Sequence, residues 1–150
     1  MHLHRLRAAL AAALILFPAA AFAAEITVYK SPHCGCCGAW VTHMKDHGHD
    51  VKTVGMEDLT TIKKMTGIPE PLQSCHTAVV DGYVIEGHVP AADVARLLLE
   101  KPKAKGLAVP GMPVGSPGME GPNPEAFDVV LFQTDGSSAV YARHQGKSAP

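Results

Sequence analysis

An excess of positive charge is missing from this 150-residue chain: 13 Lys and Arg stand against 14 Asp and Glu, a formal charge of −1 at pH 7. A basic surface for nucleic acid or another polyanion is thereby excluded. Also missing, beyond residue 23, is any apolar run of the ~18 or more residues that a membrane-spanning helix needs. Charged residues are few, at 18%, yet apolar residues reach 47%, too many for wholesale disorder. No helix carries a surplus apolar face that would signal an oligomer. One domain with one core remains.

The first 23 residues have the layout of an export signal. Met1–Arg7 is basic, Ala8–Phe17 is apolar, Pro18 breaks the helix, and Ala21-Phe22-Ala23 supplies small residues for cleavage. The expectation is a cleaved signal peptide and a periplasmic protein without membrane attachment, because Pro18 and Glu25 interrupt the run of about 20 apolar residues that an anchor requires. Cleavage would remove Arg5 and Arg7 but no acid, moving the formal charge from −1 to about −3. In an oxidising envelope compartment, cysteines must be read as disulfides or as metal thiolates.

Periodicity predicts a strand over Glu25–Lys30 and a helix over Gly35–His47, stopped by Gly48. A second strand follows at Asp50–Val54, then a second helix at Glu57–Thr66 with Gly67 just beyond it. Ile68–Ser74 is a proline-broken loop that delivers Cys75 to a strand at Thr77–Val80. Asp81-Gly82 turns it into a partner strand, Tyr83–Glu86. Pro90 opens a last helix, Ala91–Glu100, buried along Val94, Leu97 and Leu98. Pro102–Pro124 holds six prolines and five glycines, too many for a helix or a central strand, so an irregular segment is expected. A hairpin of Phe127–Phe132 and Ala139–Tyr141 about Asp135-Gly136 should close the ordered chain. The boundaries are residues 1–23 for the signal, 24–101 for a βαβαββα core that binds metal, 102–144 for the Pro/Gly/Met-rich extension and terminal β-hairpin packed on that core, and 145–150 for a frayed tail.

The chemistry concentrates in Cys34-Gly35-Cys36-Cys37 and Cys75. Cys34 and Cys37 form a C-x-x-C after a strand and at a helix start, where unpaired N–H groups favour thiolate over thiol. A dithiol oxidoreductase needs only that pair. Cys36 is surplus to it and a hazard for scrambling, whereas a metal site uses the extra sulfur. The strand after the second helix should lie beside the first, so Cys75 is expected to face the CGCC turn and complete a four-sulfur pocket. Four thiolates carry a charge of −4; several Cu(I) ions bridged by sulfur approach neutrality better than one Zn(II). Zinc and an iron–sulfur cluster remain chemically permitted alternatives. Two ordinary disulfides, such as Cys34–Cys37 with Cys36–Cys75, remain open as well.

Further donors accompany the sulfurs. His33 precedes the cluster, His76 adjoins Cys75, and His88 lies at the end of the hairpin, each readable as an additional ligand, as a group tuning the thiolates or as a loop hydrogen-bonder. His43 and His47 have i, i+4 spacing but no third fixed ligand, so surface solvation is expected. Met112 and Met119 are acceptable Cu(I) ligands or packing anchors for a strap over the site. Met44, Met56 and Met65 read as core.

Several separated motifs, in one order, resemble the exported copper-resistance proteins of the CopG family. They are Tyr29-Lys30-Ser31-Pro32-His33-Cys34-Gly35-Cys36-Cys37, Ser74-Cys75-His76-Thr77-Ala78, Gly82-Tyr83, Glu86-Gly87-His88-Val89-Pro90-Ala91, Ala108-Val109-Pro110-Gly111-Met112-Pro113 and Gly115-Ser116-Pro117-Gly118-Met119. The resemblance implies an α/β, thioredoxin-like fold and copper binding by Cys34, Cys36, Cys37 and Cys75 as a sulfur-bridged multi-copper cluster. It also implies redox interconversion or transfer of copper in the periplasm, with periplasmic copper carriers or efflux components as the expected partners. Ordinary thioredoxins place a cis-proline before the third strand; this chain has His76 there, which should open the sulfurs to metal and counts against a general disulfide reductase. A metal-independent thiol–disulfide oxidoreductase using Cys34 and Cys37 is the competing function, and a disulfide-stapled binding module the third.

Overall fold

Ile26 and Val28 alternate with Thr27 and Tyr29, and both apolar side chains are fully buried, so the first strand, β1 (Ile26–Lys30), lays one face on the core. In the computed structural model, which describes residues 24–149, the chain continues through α1 (Gly35–Asp46), β2 (Val51–Gly55), α2 (Thr60–Thr66) and a 3-10 turn at Glu70–Leu72. Then come β3 (Thr77–Val80), β4 (Tyr83–Glu86), α3 (Ala91–Glu100), β5 (Gly106–Ala108), β6 (Phe127–Phe132) and β7 (Ser138–His144). The fold is mixed α/β, and its element order through α3 is the one expected. The expected signal peptide lies outside the described residues. Among those described, no helix is long and apolar enough to cross a membrane.

All seven strands join one sheet in the order β2-β1-β3-β4-β5-β6-β7. The β1/β2 and β4/β5 pairs are parallel and the others antiparallel. Register explains why the chemistry gathers at one end of this sheet. Tyr29 faces Thr77, Thr77 faces Glu86, and Glu86 faces Ala108. The exit of β1, the entrance of β3 and the exits of β4 and β5 therefore share an edge. Four segments that start or finish there, around Cys34, Cys75, His88 and Pro110, are brought together by pairing alone.

Alternation divides the core between the two sheet faces. Ile85, Leu107 and Val129 join Trp40, Val41 and Met44 of α1 and Val94 and Leu97 of α3. Val84, Ala108 and Phe132 point the other way, onto Ile68 and Leu72. Trp40 is fully buried and its Nε1–H donates to the Val89 carbonyl at 2.8 Å, so the ring is both packed and satisfied.

Four expectations need correction. The Pro/Gly segment is not wholly irregular, because Gly106–Ala108 forms a buried strand in the middle of the sheet. Gly106 permits it: a Cβ there would lie 1.8 Å from the Val84 carbonyl oxygen, so only a residue without a side chain can approach β4 this closely. The second helix starts at Thr60 rather than Glu57, since the Asp58 carboxylate takes the Thr60 N–H at 2.8 Å and holds the preceding residues in a turn. The tail is anchored as far as Lys147, whose N–H donates to the Gly115 carbonyl at 2.9 Å. Met65, expected in the core, is 76% exposed. The α2 face that turns inward carries Ile62, Lys63 and Thr66 instead.

Candidate metal centre

Cys34 caps α1. Its Sγ accepts the Cys37 N–H at 3.3 Å, and no acidic residue in the first helical turn offsets the positive end of the helix dipole. Cys34, Cys36, Cys37 and Cys75 have sulfur atoms that all lie within 4.8 Å of one another, so both stretches of chain meet as expected. Cys34 and Cys37 are joined as a disulfide, while Cys36 and Cys75 are free thiols. Of the two bridges in the all-disulfide alternative, one is formed. Cys36 Sγ is 3.5 Å from Cys34 Sγ, so a free thiol stands in contact with the bridge it could exchange with.

Cys75 has the most developed surroundings. Its Sγ is 3.0 Å from His88 Nε2, 3.4 Å from His76 Nδ1 and 3.9 Å from Ser74 Oγ. Burial, and next the neighbouring Cys36, push the Cys75 thiol up to about 11. Without a metal it therefore keeps its proton at neutral pH. The proton has an acceptor. His88 Nδ1 lies 2.8 Å from the Pro117 carbonyl, which can only accept, so Nδ1 carries the hydrogen and Nε2 presents a lone pair to the sulfur.

His76 packs against Trp40 at 4.5 Å between ring centroids and meets His88 edge-on at 5.1 Å. Burial, reinforced by His88 and Lys63, holds its imidazole well below the ordinary range, and its Nε2 is buried without a hydrogen-bond partner. Cys75, His76 and His88 form a second group of converging donors that shares one sulfur with the first. Thiols, neutral imidazole lone pairs and partial burial form a soft donor set, which suits Cu(I) or Zn(II) and disfavours Mg(II) and Ca(II).

The remaining sequence candidates divide. His33 is not brought to the cluster: its side chain is 85% exposed and its Nε2 faces Glu57 at 3.7 Å. Met112 is 51% exposed, and Met119 is partly buried in a turn closed by its N–H to the Ser116 carbonyl at 2.8 Å. The segment carrying them does lie over the site. Gly118 comes so close to α1 that a Cβ would stand 2.7 Å from the Trp40 backbone nitrogen and 2.8 Å from the Cys36 carbonyl oxygen. The His43 and His47 rings lie 4.3 Å apart at a tilt of 47°, and His43 Nε2 accepts the Ala91 N–H at 3.1 Å, tying α1 to the start of α3 rather than merely being solvated.

Comparison with known proteins places this geometry in a family. The family model described as "Protein of unknown function, DUF411" matches residues 72–119. No curated protein sequence matches. Two solved structures, "Copper resistance protein copG- Form 2" and "Form 1", are 42% and 43% identical to the chain; each match covers 81% of this chain and 98% of the other, with a TM-score of 0.76. The chain belongs to the CopG family. Membership at this identity gives the cysteine cluster a family context, copper resistance, that the sulfur geometry by itself leaves open between metals.

Sequence reasoning did not foresee the polar cluster behind this CopG-family site. Lys63 Nζ contacts Glu86 Oε1 at 2.5 Å and Thr77 Oγ1 at 3.1 Å; Thr77 Oγ1 donates to Glu86 Oε2 at 2.6 Å. The signal was a lysine on the apolar side of a short helix and a glutamate ending an apolar strand.

Proposed function

We propose that this protein is exported and holds copper as Cu(I), in a sulfur-bridged polynuclear form, on the thiolates of Cys34, Cys36, Cys37 and Cys75, in the service of copper resistance. The observation that carries the reading is the convergence of all four sulfurs within 4.8 Å from two distant stretches of chain, at one end of the sheet. His88 and His76 support Cys75 as neighbouring nitrogens, and Met112 and Met119 belong to the covering strap. Loading displaces the Cys75 proton, so copper competes with protons at this sulfur. The Cys34–Cys37 bridge adds redox control. Two thiolates closing that bridge release two electrons, enough to take two Cu(II) to two Cu(I), and withdraw two of the four donors. Copper load and thiol state are therefore coupled. Metal reaches such a site from periplasmic copper carriers or leaves it for efflux components. Anaerobic Cu(I) titration of the reduced protein tests the reading: Cys75→Ser should lower both stoichiometry and affinity, and an unchanged titration would remove the four-cysteine site.

A second reading, a metal-independent thiol–disulfide oxidoreductase, is favoured by the Cys34–Cys37 disulfide at a helix N-terminus. It requires turnover of disulfide substrates in metal-free protein, surviving Cys36→Ser.

A further inference from the structure

Lys63 and Glu86 make the only ion pair among the described residues in which both side chains are nearly or fully out of solvent, at 10% and 0% exposure. Replacing such a pair by apolar residues of similar size is often neutral or stabilising, because the desolvation cost consumes the Coulombic gain. Stability alone is a weak reason for the pair to exist. Its connections give a stronger one. Glu86 Oε1, besides meeting Lys63, accepts the backbone N–H of Ser74 at 2.7 Å, and Ser74 immediately precedes Cys75. Glu86 Oε2 takes the Thr77 hydroxyl, two residues past Cys75. One carboxylate therefore grips the chain on both sides of the sulfur. From the same strand end, the Gly87 N–H donates to the His76 carbonyl at 3.0 Å, and His88 reaches Cys75 Sγ. The loop that leads to Cys75, Ile68–Ser74, contains Pro69 and Pro71 and belongs to no strand; it is also tied to Gly111, whose N–H donates to the Gln73 carbonyl at 3.2 Å and whose carbonyl accepts the Ser74 hydroxyl.

We infer that Glu86 is a positioning residue for sulfur: its carboxylate fixes the Ser74–Thr77 backbone so that Cys75 Sγ stands at bridging distance from Cys36 and the Cys34–Cys37 pair. The inference rests on the copper-thiolate reading and extends it to a specific device. A bridged cluster demands donor positions held to within about half an ångström, which a loop achieves only with support from behind.

Two double variants isolate the effect. In Lys63→Met with Glu86→Gln, the amide oxygen can accept the Ser74 N–H and the amide nitrogen can donate to Thr77 Oγ1, so the grip survives without charge. In Lys63→Met with Glu86→Leu, packing survives and the grip is gone. The readouts are Cys75 alkylation in metal-free oxidised protein, resolved from Cys36 by peptide mapping, and Cu(I) affinity of the reduced protein by chelator competition. The Leu variant should bind Cu(I) about ten- to a hundredfold more weakly than wild type and alkylate faster at Cys75, while the Gln variant stays close to wild type. Equal behaviour of the two variants overturns the inference, because both lack the ion pair and differ only in the grip. Should the Leu variant fail to fold, hydrogen exchange at the Ser74 amide of wild type decides: slow exchange supports the grip, and exchange at the rate of an open loop overturns it. Failure of the wild type itself to bind Cu(I) would instead remove the underlying reading.

Discussion

His88 Nε2 stands 3.0 Å from Cys75 Sγ, and its other ring nitrogen is held by the carbonyl of Pro117, 29 residues further along the chain. A single imidazole thus links the isolated cysteine to the strap that covers it. Fixing one ring nitrogen of a histidine sets the tautomer and aim of the other, the arrangement by which proteins prepare an imidazole to serve a metal site.

Replacing His88 with alanine is expected to weaken Cu(I) binding by about ten- to a hundredfold in competition with a chromophoric chelator. His33→Ala, at a ring facing Glu57 and solvent, should leave the affinity as it is. Equal losses from the two substitutions would contradict the placement of both histidines.

The strap is fastened through Gly118. At φ +84, with no room for a Cβ beside Trp40 and Cys36, this residue has both a conformational and a steric reason to be glycine. Gly118→Ala should destabilise the fold by about 1–3 kcal/mol in chemical denaturation and raise the accessibility of Cys36 to alkylating reagents. Wild-type stability in that variant would mean that the strap is not seated on α1.

Acid should weaken the metal-free protein. His76 is lowered first by burial and then by His88 and Lys63, and His43 by burial and then His47. Both titrate near 6.5 in the unfolded chain, so below that pH the unfolded state takes up protons that the folded state resists. Their contribution is complete above 6.5 and declines as pH falls towards the lowered folded values. Glu86, raised chiefly by burial, acts oppositely: its contribution is complete below 4.5 and is lost as pH rises through the folded value. The urea midpoint should therefore be lower at about pH 5.5 than at about pH 7.5, and His76→Phe, which retains a ring against Trp40, should shrink that difference. An undiminished difference in the variant would assign the acid sensitivity elsewhere.

Much of the architecture could be read from residues near one another in sequence. Ile26 and Val28 announce β1, Asp81-Gly82 announces the β3–β4 hairpin, and the apolar spacing of Val94 and Leu97 announces α3. The meeting of Cys75 with the CGCC turn followed from one topological step, the pairing of β3 with β1. What stayed hidden depends on fit between distant pieces. Composition reads Gly106 as a breaker, whereas in the sheet its missing side chain lets β5 close on Val84. Lys63 and Glu86 look like surface charges until α2 and β4 are packed against each other. The aim of His88 is set by a backbone carbonyl in a proline-rich segment, and no pattern of side chains announces that.

The most direct test of the central claim is X-ray absorption at the copper edge of the reduced, anaerobically Cu(I)-loaded protein. A sulfur-dominated first shell with a short copper–copper vector is the predicted result. A shell dominated by nitrogen or oxygen, or sulfur ligation that is unchanged in Cys75→Ser, would contradict it.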